Sequence, residues 1–68
     1  MSLLEARDAV ALAMINREQR QFDLPELASL EDVRSPYDVE AYRGMAGEAL
    51  RCLHQRGWVP PPGGDVKP

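Results

Sequence analysis

Residues 35–62 read SPYDVEAYRGMAGEALRCLHQRGWVPPP, and this stretch decides the fold of the 68-residue chain. Ser35 is a favoured helix N-cap, and Pro36 suits the first helical position. Gly57 can adopt the left-handed conformation that closes many helices, and the prolines after it cannot continue one. The stretch therefore predicts a long helix at about 36–56.

The apolar residues of this helix gather on one side when they are placed at about 100 degrees per residue. That side predicts a face packed against the rest of the chain, with Met45 and Cys52 at its edge. Cys52 would then be a small buried hydrophobe, and Trp58 would fold back onto the last turn. The predicted core face consists of Val39, Tyr42, Ala46, Ala49, Leu50 and Leu53.

Another long helix is predicted at about 3–21, because Ser2 and Glu5 form a capping-box pattern and no Gly or Pro follows before Pro25. Its apolar residues form two stripes, which indicates burial on two sides, either within this chain or between this chain and another. The first stripe contains Leu3, Ala6, Val10, Ala13 and Met14. The second stripe contains Leu4, Ala11, Ile15 and Phe22.

A short Leu-rich helix is predicted between the two long helices. Asp23 or Leu24 can cap it, with Pro25 in its first turn. Its apolar residues recur every three positions, which favours a partly 3₁₀ segment, and Ser29 could restart it. The predicted fold class is therefore all-α.

The arrangement expected is a helical hairpin with the short helix across the connection. Residues 1–59 would form one small domain, and the Pro- and Gly-rich residues 60–68 a flexible tail, with polyproline II at its start.

Length and composition exclude several classes of protein. A domain of this size is marginally stable unless something reinforces it. Cys52 is the only cysteine, so no intrachain disulfide forms, and the absence of Cys and His clusters predicts no metal site and no cofactor. The longest apolar run, residues 9–15, is far shorter than the roughly 20 residues that span a bilayer. We therefore expect a cytoplasmic protein with no membrane contact, reinforced by packing or oligomerisation.

The charge pattern disfavours nucleic acid as a partner. The net charge is −3, and residues 23–42 carry six carboxylates against one arginine. Such a surface repels phosphates. The alternative function kept open is a small nucleic-acid-associated regulator that uses Arg43, Arg51 and Arg56 of the last helix. No Gly-rich phosphate loop or nucleophile elbow is present, which predicts no enzymatic activity and no catalytic residue.

Gly44 and Gly47, inside the last helix, are the sharpest anomaly, because each lowers helix stability by roughly 1 kcal/mol relative to alanine. They lie off the predicted core face, on the side of Arg51 and His54. Either another backbone approaches there or the glycines are drift on a solvated face. With the second stripe of the first helix, they make up the predicted interaction surface: Leu4, Ala11, Ile15, Phe22, Gly44, Gly47, Arg51 and His54.

Residues 48–62, EALRCLHQRGWVPPP, resemble the endings of small accessory proteins of actinobacteria and their phages, in which an Ala/Leu/Arg helix stops at Gly-Trp and proline. The resemblance is one of composition over about 15 residues and brings no functional residue with it. It implies a compact accessory product, which in phages would act by binding a host protein. The function we expect is therefore non-enzymatic protein binding, to a second copy or to a host protein.

Overall fold

The structure is a computed structural model that describes residues 1–61. These residues contain two α-helices, α1 (Leu3–Gln21) and α2 (Pro36–Gln55), one 3₁₀ turn (Leu30–Asp32) and no strand. The all-α prediction is confirmed. The predicted tail falls largely on residues 62–68, which lie outside the described residues.

α1 begins and ends with side-chain and backbone hydrogen bonds. The Ser2 hydroxyl accepts from the Glu5 amide at 3.0 Å, and the Glu5 carboxylate accepts from the Ser2 amide at 2.8 Å, which lowers the pKa of Glu5. At the other end Asp23 takes a φ of 56°, and the Leu24 amide donates to the Gln19 carbonyl at 2.8 Å. Asp23 therefore closes α1, whereas the sequence predicted it as a cap of the next helix.

α2 ends in the same way, with glycine at the corresponding position. Gly57 has a φ of 103°, and the Trp58 amide donates to the Leu53 carbonyl at 3.1 Å. Nδ1 of His54 lies 3.0 Å from the Trp58 carbonyl oxygen and adds a contact across the cap. At the start of α2, Ser35 occupies the N-cap position without a side-chain cap bond, and Pro36 follows it as predicted.

The connection between the helices does not form a continuous Leu-rich helix; of that prediction, only a 3₁₀ turn that restarts at Ser29 is found, at Leu30–Asp32. The backbone of the connection is bound to side chains of α1 instead: Gln19 Nε2 donates to the Pro25 carbonyl at 2.9 Å, and Asn16 bonds to both backbone groups of Leu27. The only helical turn of the connection starts after Ser29, whose hydroxyl accepts from the Glu31 amide at 3.2 Å.

The contacts between α1 and α2 follow the order of two helices that run in opposite directions. Arg7, near the start of α1, covers Gly47 in the second half of α2. Asp8 pairs with Arg43 at 3.0 Å, and Glu18, near the end of α1, reaches Tyr42. Beyond the helix ends, the Met1 amino group donates to the Pro61 carbonyl at 3.0 Å.

The buried core is small and consists mainly of alanine. In α2 the buried residues are Ala46 and Leu50. The buried face of this helix is rotated from the predicted face toward Arg43 and Gly47. The rotation has a physical reason, because half-buried Arg43 and Gly47 both contact α1. Cys52 is consequently exposed and is not the buried hydrophobe that the sequence predicted. Four residues of the predicted face or its edge are exposed in all: Met45, Ala49, Cys52 and Leu53.

The side of α1 that faces α2 draws on the second stripe. Ala11 is fully buried and Ile15 is 6% exposed, whereas Leu3 and Ala13 of the first stripe are exposed. Ala6 is buried as well, and so is Asn16 on the side covered by the connection. α1 is therefore buried on more than one side by its own chain, which is one of the two possibilities that the paired stripes left open.

Candidate protein-binding site

Few large hydrophobic side chains are buried in residues 1–61. Ile15 and Leu50 are the two that are, and no large side chain is completely inaccessible. Contiguous exposed hydrophobic surface on a small domain marks a candidate site for binding another protein. The exposed large hydrophobic residues are Met1, Leu3, Leu4, Phe22, Leu24, Tyr37, Met45, Leu53 and Val59.

The structure divides the α1 part of the predicted interaction surface. Ala11 and Ile15 lie in the core against α2, so a partner could reach them only if the core opened. Leu4 and Phe22 are exposed, at 63% and 73%, but they are 18 residues and thus about 27 Å apart along the helix. These four residues therefore do not form one continuous docking stripe.

The α2 part of that surface is mostly a polar strip. Gly44 is open, since a Cβ placed on it would meet no atom within 4 Å, whereas a Cβ at Gly47 would lie 3.7 Å from Cδ of Arg7. Gly47 thus has a neighbour in its own chain, which the sequence did not indicate. Arg51 is exposed and pairs with Glu48, and exposed His54 contacts the carbonyl of Trp58.

The arginines of α2 are largely engaged with carboxylates. Nε and Nη2 of Arg43 bond to Asp8, at 3.0 Å to Oδ1 and 3.3 Å to Oδ2, and Arg51 pairs with Glu48. Arg7 also bonds to Asp8, at 2.9 Å. Paired arginines have less charge to offer phosphates, so this geometry gives no support to the nucleic-acid alternative.

A groove of about 560 Å³ lies between the second half of α1, the connection and the start of α2. Its floor is apolar, with buried Ile15 and half-buried Leu27 and Val33. Exposed Leu24 and Pro25 form part of its wall. A groove of this size has room for a side chain of a partner protein to enter.

Polar residues surround this floor, and most of the charges are negative. Glu18, Asp32 and Asp38 line the groove together with one base, Arg34. Within residues 1–61, none of these four forms an ion pair. We call this site the acidic groove. The Glu18 carboxylate, with a smaller effect of burial, raises the pKa of Tyr42, which also lines the site.

The wall of the acidic groove is fixed to α1 by specific bonds. The Asn16 side chain donates from Nδ2 to the Leu27 carbonyl at 3.0 Å and accepts from the Leu27 amide at 2.7 Å. Gln19 holds the Pro25 carbonyl, and Arg20 lies 3.4 Å from Glu26. The groove is therefore formed in advance of any binding.

The sequence does not predict the acidic groove, although it contains signals for its parts. Taken alone, the acidic run indicates capping and solvation, and the recurring leucines indicate a helix. A third signal is Asn16, a polar residue in an otherwise apolar and helix-favouring segment. Its role depends on a contact with Leu27 that no local pattern contains.

A second depression, of about 400 Å³, lies on the other side of the 3₁₀ turn. Asp8, Leu12, Leu30 and Arg43 contribute to its lining. Asp8 and Arg43 are already paired with each other, so their charges are satisfied within the chain. This depression therefore offers a partner less than the acidic groove does.

The exposed apolar side of α2 is a further candidate contact. Met45, Ala49, Cys52 and Leu53 lie within an arc of about 100 degrees on the helix, and all four are exposed. We call these residues the α2 patch. A continuous apolar helix face of this width is suited to packing against another helix.

Neither described helix is both long and apolar enough to cross a membrane. In residues 1–61, no three metal-ligating side chains gather closely enough to hold an ion. Comparison of the chain with protein-family models, curated proteins and solved structures finds no match.

Proposed function

We propose that the chain is a non-enzymatic protein-binding module, a small bacterial or phage accessory protein of the cytoplasm. Its partner is a second copy of itself or a host protein. The observation that carries the proposal is the α2 patch, in which Met45, Ala49, Cys52 and Leu53 stand together on one exposed side of α2. A contiguous apolar patch is typical of a surface that another protein covers, whereas exposed hydrophobic side chains that are scattered singly are normal.

The α2 patch is the contact that we propose for self-association. Met45 and Leu53 are each about half exposed and stand two turns apart, with Ala49 between them. The small Ala49 side chain allows a second helix to approach closely, and the larger neighbours can pack beside it. Covering these side chains would also reinforce a domain whose own core is small.

The test combines oligomeric state with affinity capture. Sedimentation velocity at about 10 and about 300 μM measures self-association in the micromolar to millimolar range of Kd. Capture from a bacterial lysate, followed by mass spectrometry, measures binding to other proteins. We expect the double substitution Met45→Gln/Leu53→Gln to weaken either self-association or the capture of other proteins. The reason is that it makes the α2 patch polar while leaving the buried residues in place.

The matched control is Glu40→Gln, an exposed change on the opposite, polar side of the same helix. It should leave self-association and capture unaltered, with circular dichroism reporting that both variants remain helical. A wild-type protein that stays monomeric at the higher concentration, and whose captured proteins are the same for the patch variant and the control, would contradict the proposal. Ile15 is unsuitable for this test, because its burial makes any polar substitution a test of folding.

A further inference from the structure

We propose that the acidic groove binds a basic amphipathic peptide segment of a partner protein. An apolar side chain of the segment would rest on the groove floor, and flanking lysine or arginine side chains would meet the surrounding carboxylates. This inference depends on the proposed protein-binding function and names the chemistry of the partner.

The floor of the groove supports an apolar anchor. Ile15, Leu27 and Val33 present hydrocarbon at the base of a site of about 560 Å³. Binding energy at protein interfaces concentrates in side chains that enter such pockets, while the surrounding contacts exclude water. A single large aliphatic or aromatic side chain is the group that this floor would accommodate.

The charges around the floor determine which charge the bound segment of the partner should carry. Glu18, Asp32 and Asp38 outnumber Arg34, and no ion pair within residues 1–61 neutralises any of the three carboxylates. A basic segment is therefore complementary, and an acidic one would be repelled.

The groove also requires little rearrangement to bind. Asn16 and Gln19 of α1 hold the backbone of Leu27 and Pro25, which fixes one wall. The 3₁₀ turn that contains Asp32 is fixed as well, because the Ser29 amide donates to the Asp32 carboxylate at 3.3 Å and the Ser29 hydroxyl accepts from the Glu31 amide at 3.2 Å. A preformed site loses less conformational entropy on binding than a loop that must first become ordered.

The experiment uses the full chain and a defined probe, a fluorescein-labelled helical peptide of about 14 residues built from leucine and lysine with one apolar face. Fluorescence anisotropy measures its Kd at low and high salt. Two reference peptides accompany it, one with glutamate in place of lysine and one with the same composition in scrambled order. We expect the first reference peptide not to bind and the second to bind more weakly, because its apolar residues are dispersed.

Two substitutions two residues apart on α2 locate the binding site. Asp38 lines the groove, whereas Glu40 is also exposed and does not. Asp38→Asn should weaken binding about two- to fivefold, the range of a single exposed charge pair, and adding Glu18→Gln should increase the loss. Glu40→Gln should change the Kd by less than about twofold.

A second pair tests the apolar contact. Leu24 lines the groove and Phe22 does not, although both are exposed. Leu24→Ser should weaken binding at high salt, where charge is screened, and Phe22→Ser should not. Equal losses for Asp38→Asn and Glu40→Gln, or no binding of the lysine peptide at any salt concentration, would overturn the inference. Either result leaves association through the α2 patch intact, so it can be distinguished from failure of the proposed function.

Discussion

The side-chain amide of Asn16 pairs with the backbone amide and carbonyl of Leu27, at 2.7 and 3.0 Å. Asn16 is the buried polar residue of the described chain, at 9% exposure. The pair satisfies two backbone groups of the connection that would otherwise need water or a helix. It therefore attaches the connection to α1 and, with it, one wall of the acidic groove.

Asn16→Ala should lower the free energy of unfolding by about 1–3 kcal/mol, because it leaves both backbone groups of Leu27 without their partner. Urea denaturation followed by circular dichroism measures the change. Gln19→Ala provides the comparison, since it removes one solvent-exposed bond to Pro25 and should cost less than about 1 kcal/mol. Equal losses for the two variants would show that burial of the Asn16 pair contributes nothing.

The ion pair between Asp8 and Arg43 predicts a dependence of stability on pH. The hydrogen bond from Arg43, followed by that from Arg7, lowers the pKa of Asp8 in the folded protein below its ordinary value of 3.8. The contribution to stability is therefore present above that value and is lost as pH falls through the folded pKa. Asp8→Asn should flatten the decline of stability below about pH 4.

Arginine variants identify the partner that matters more for Asp8. Arg43→Gln should flatten the acid decline nearly as much as Asp8→Asn, because the bond from Arg43 is the main cause of the lowered pKa. Arg7→Gln should have a smaller effect. Urea denaturation from about pH 3 to about pH 7 measures all three variants, and an acid decline as steep as that of the wild type in Asp8→Asn would contradict the prediction.

The glycines of α2 should be replaceable by alanine with a gain in stability. Gly44 has open space around it, and a Cβ at Gly47 would make an ordinary contact with Arg7. Each substitution should raise the free energy of unfolding by up to about 1 kcal/mol, with Ala41→Gly lowering it by a similar amount at an exposed position of the same helix. Loss of partner binding in a more stable Gly44→Ala variant would show that a partner backbone approaches there.

The two helix ends offer an opposite pair of substitutions. Asp23 and Gly57 occupy equivalent closing positions with positive φ. Asp23→Gly should stabilise the protein by about 0.5–1 kcal/mol, and Gly57→Ala should destabilise it by about 1 kcal/mol or more, because a Cβ is strained in this conformation. Thermal unfolding measures both changes, and a lower melting temperature for Asp23→Gly would indicate that the carboxylate has a further role.

Local signals predicted the helices well. The signals at the helix ends each act within one turn of chain, so their effect can be read from neighbouring residues. They are the capping box of Ser2 and Glu5 at the start of α1, Pro36 at the start of α2 and Gly57 after its end. The connection could not be predicted in this way, because Asn16 and Leu27 are 11 residues apart and their bonds replace the helix that the leucines favoured. The acidic groove forms from three separated segments, and its assembly follows from that unpredicted connection.

The rotation of α2 against α1 was also beyond the sequence. Periodicity placed Ala49 and Leu53 on the buried side, since an apolar stripe is assumed to be the contact face. The contact instead includes Arg43, whose charge is neutralised by Asp8, and Gly47, which leaves room for the Arg7 chain. A hydrophobic pattern does not register a paired arginine or a glycine as contact residues. The predicted core face of α2 is therefore displaced from its contact with α1.

The alanine-rich contact between α1 and α2 determines how the protein should respond to temperature. Ala6, Ala11 and Ala46 supply most of the buried positions, beside Ile15 and Leu50. Unfolding then exposes little new apolar surface, and the heat capacity change should fall below the usual value of about 12–15 cal/mol/K per residue. Stability would accordingly vary gently between cold and warm conditions. A pronounced negative heat capacity change would accompany the covering of the exposed side chains by a partner.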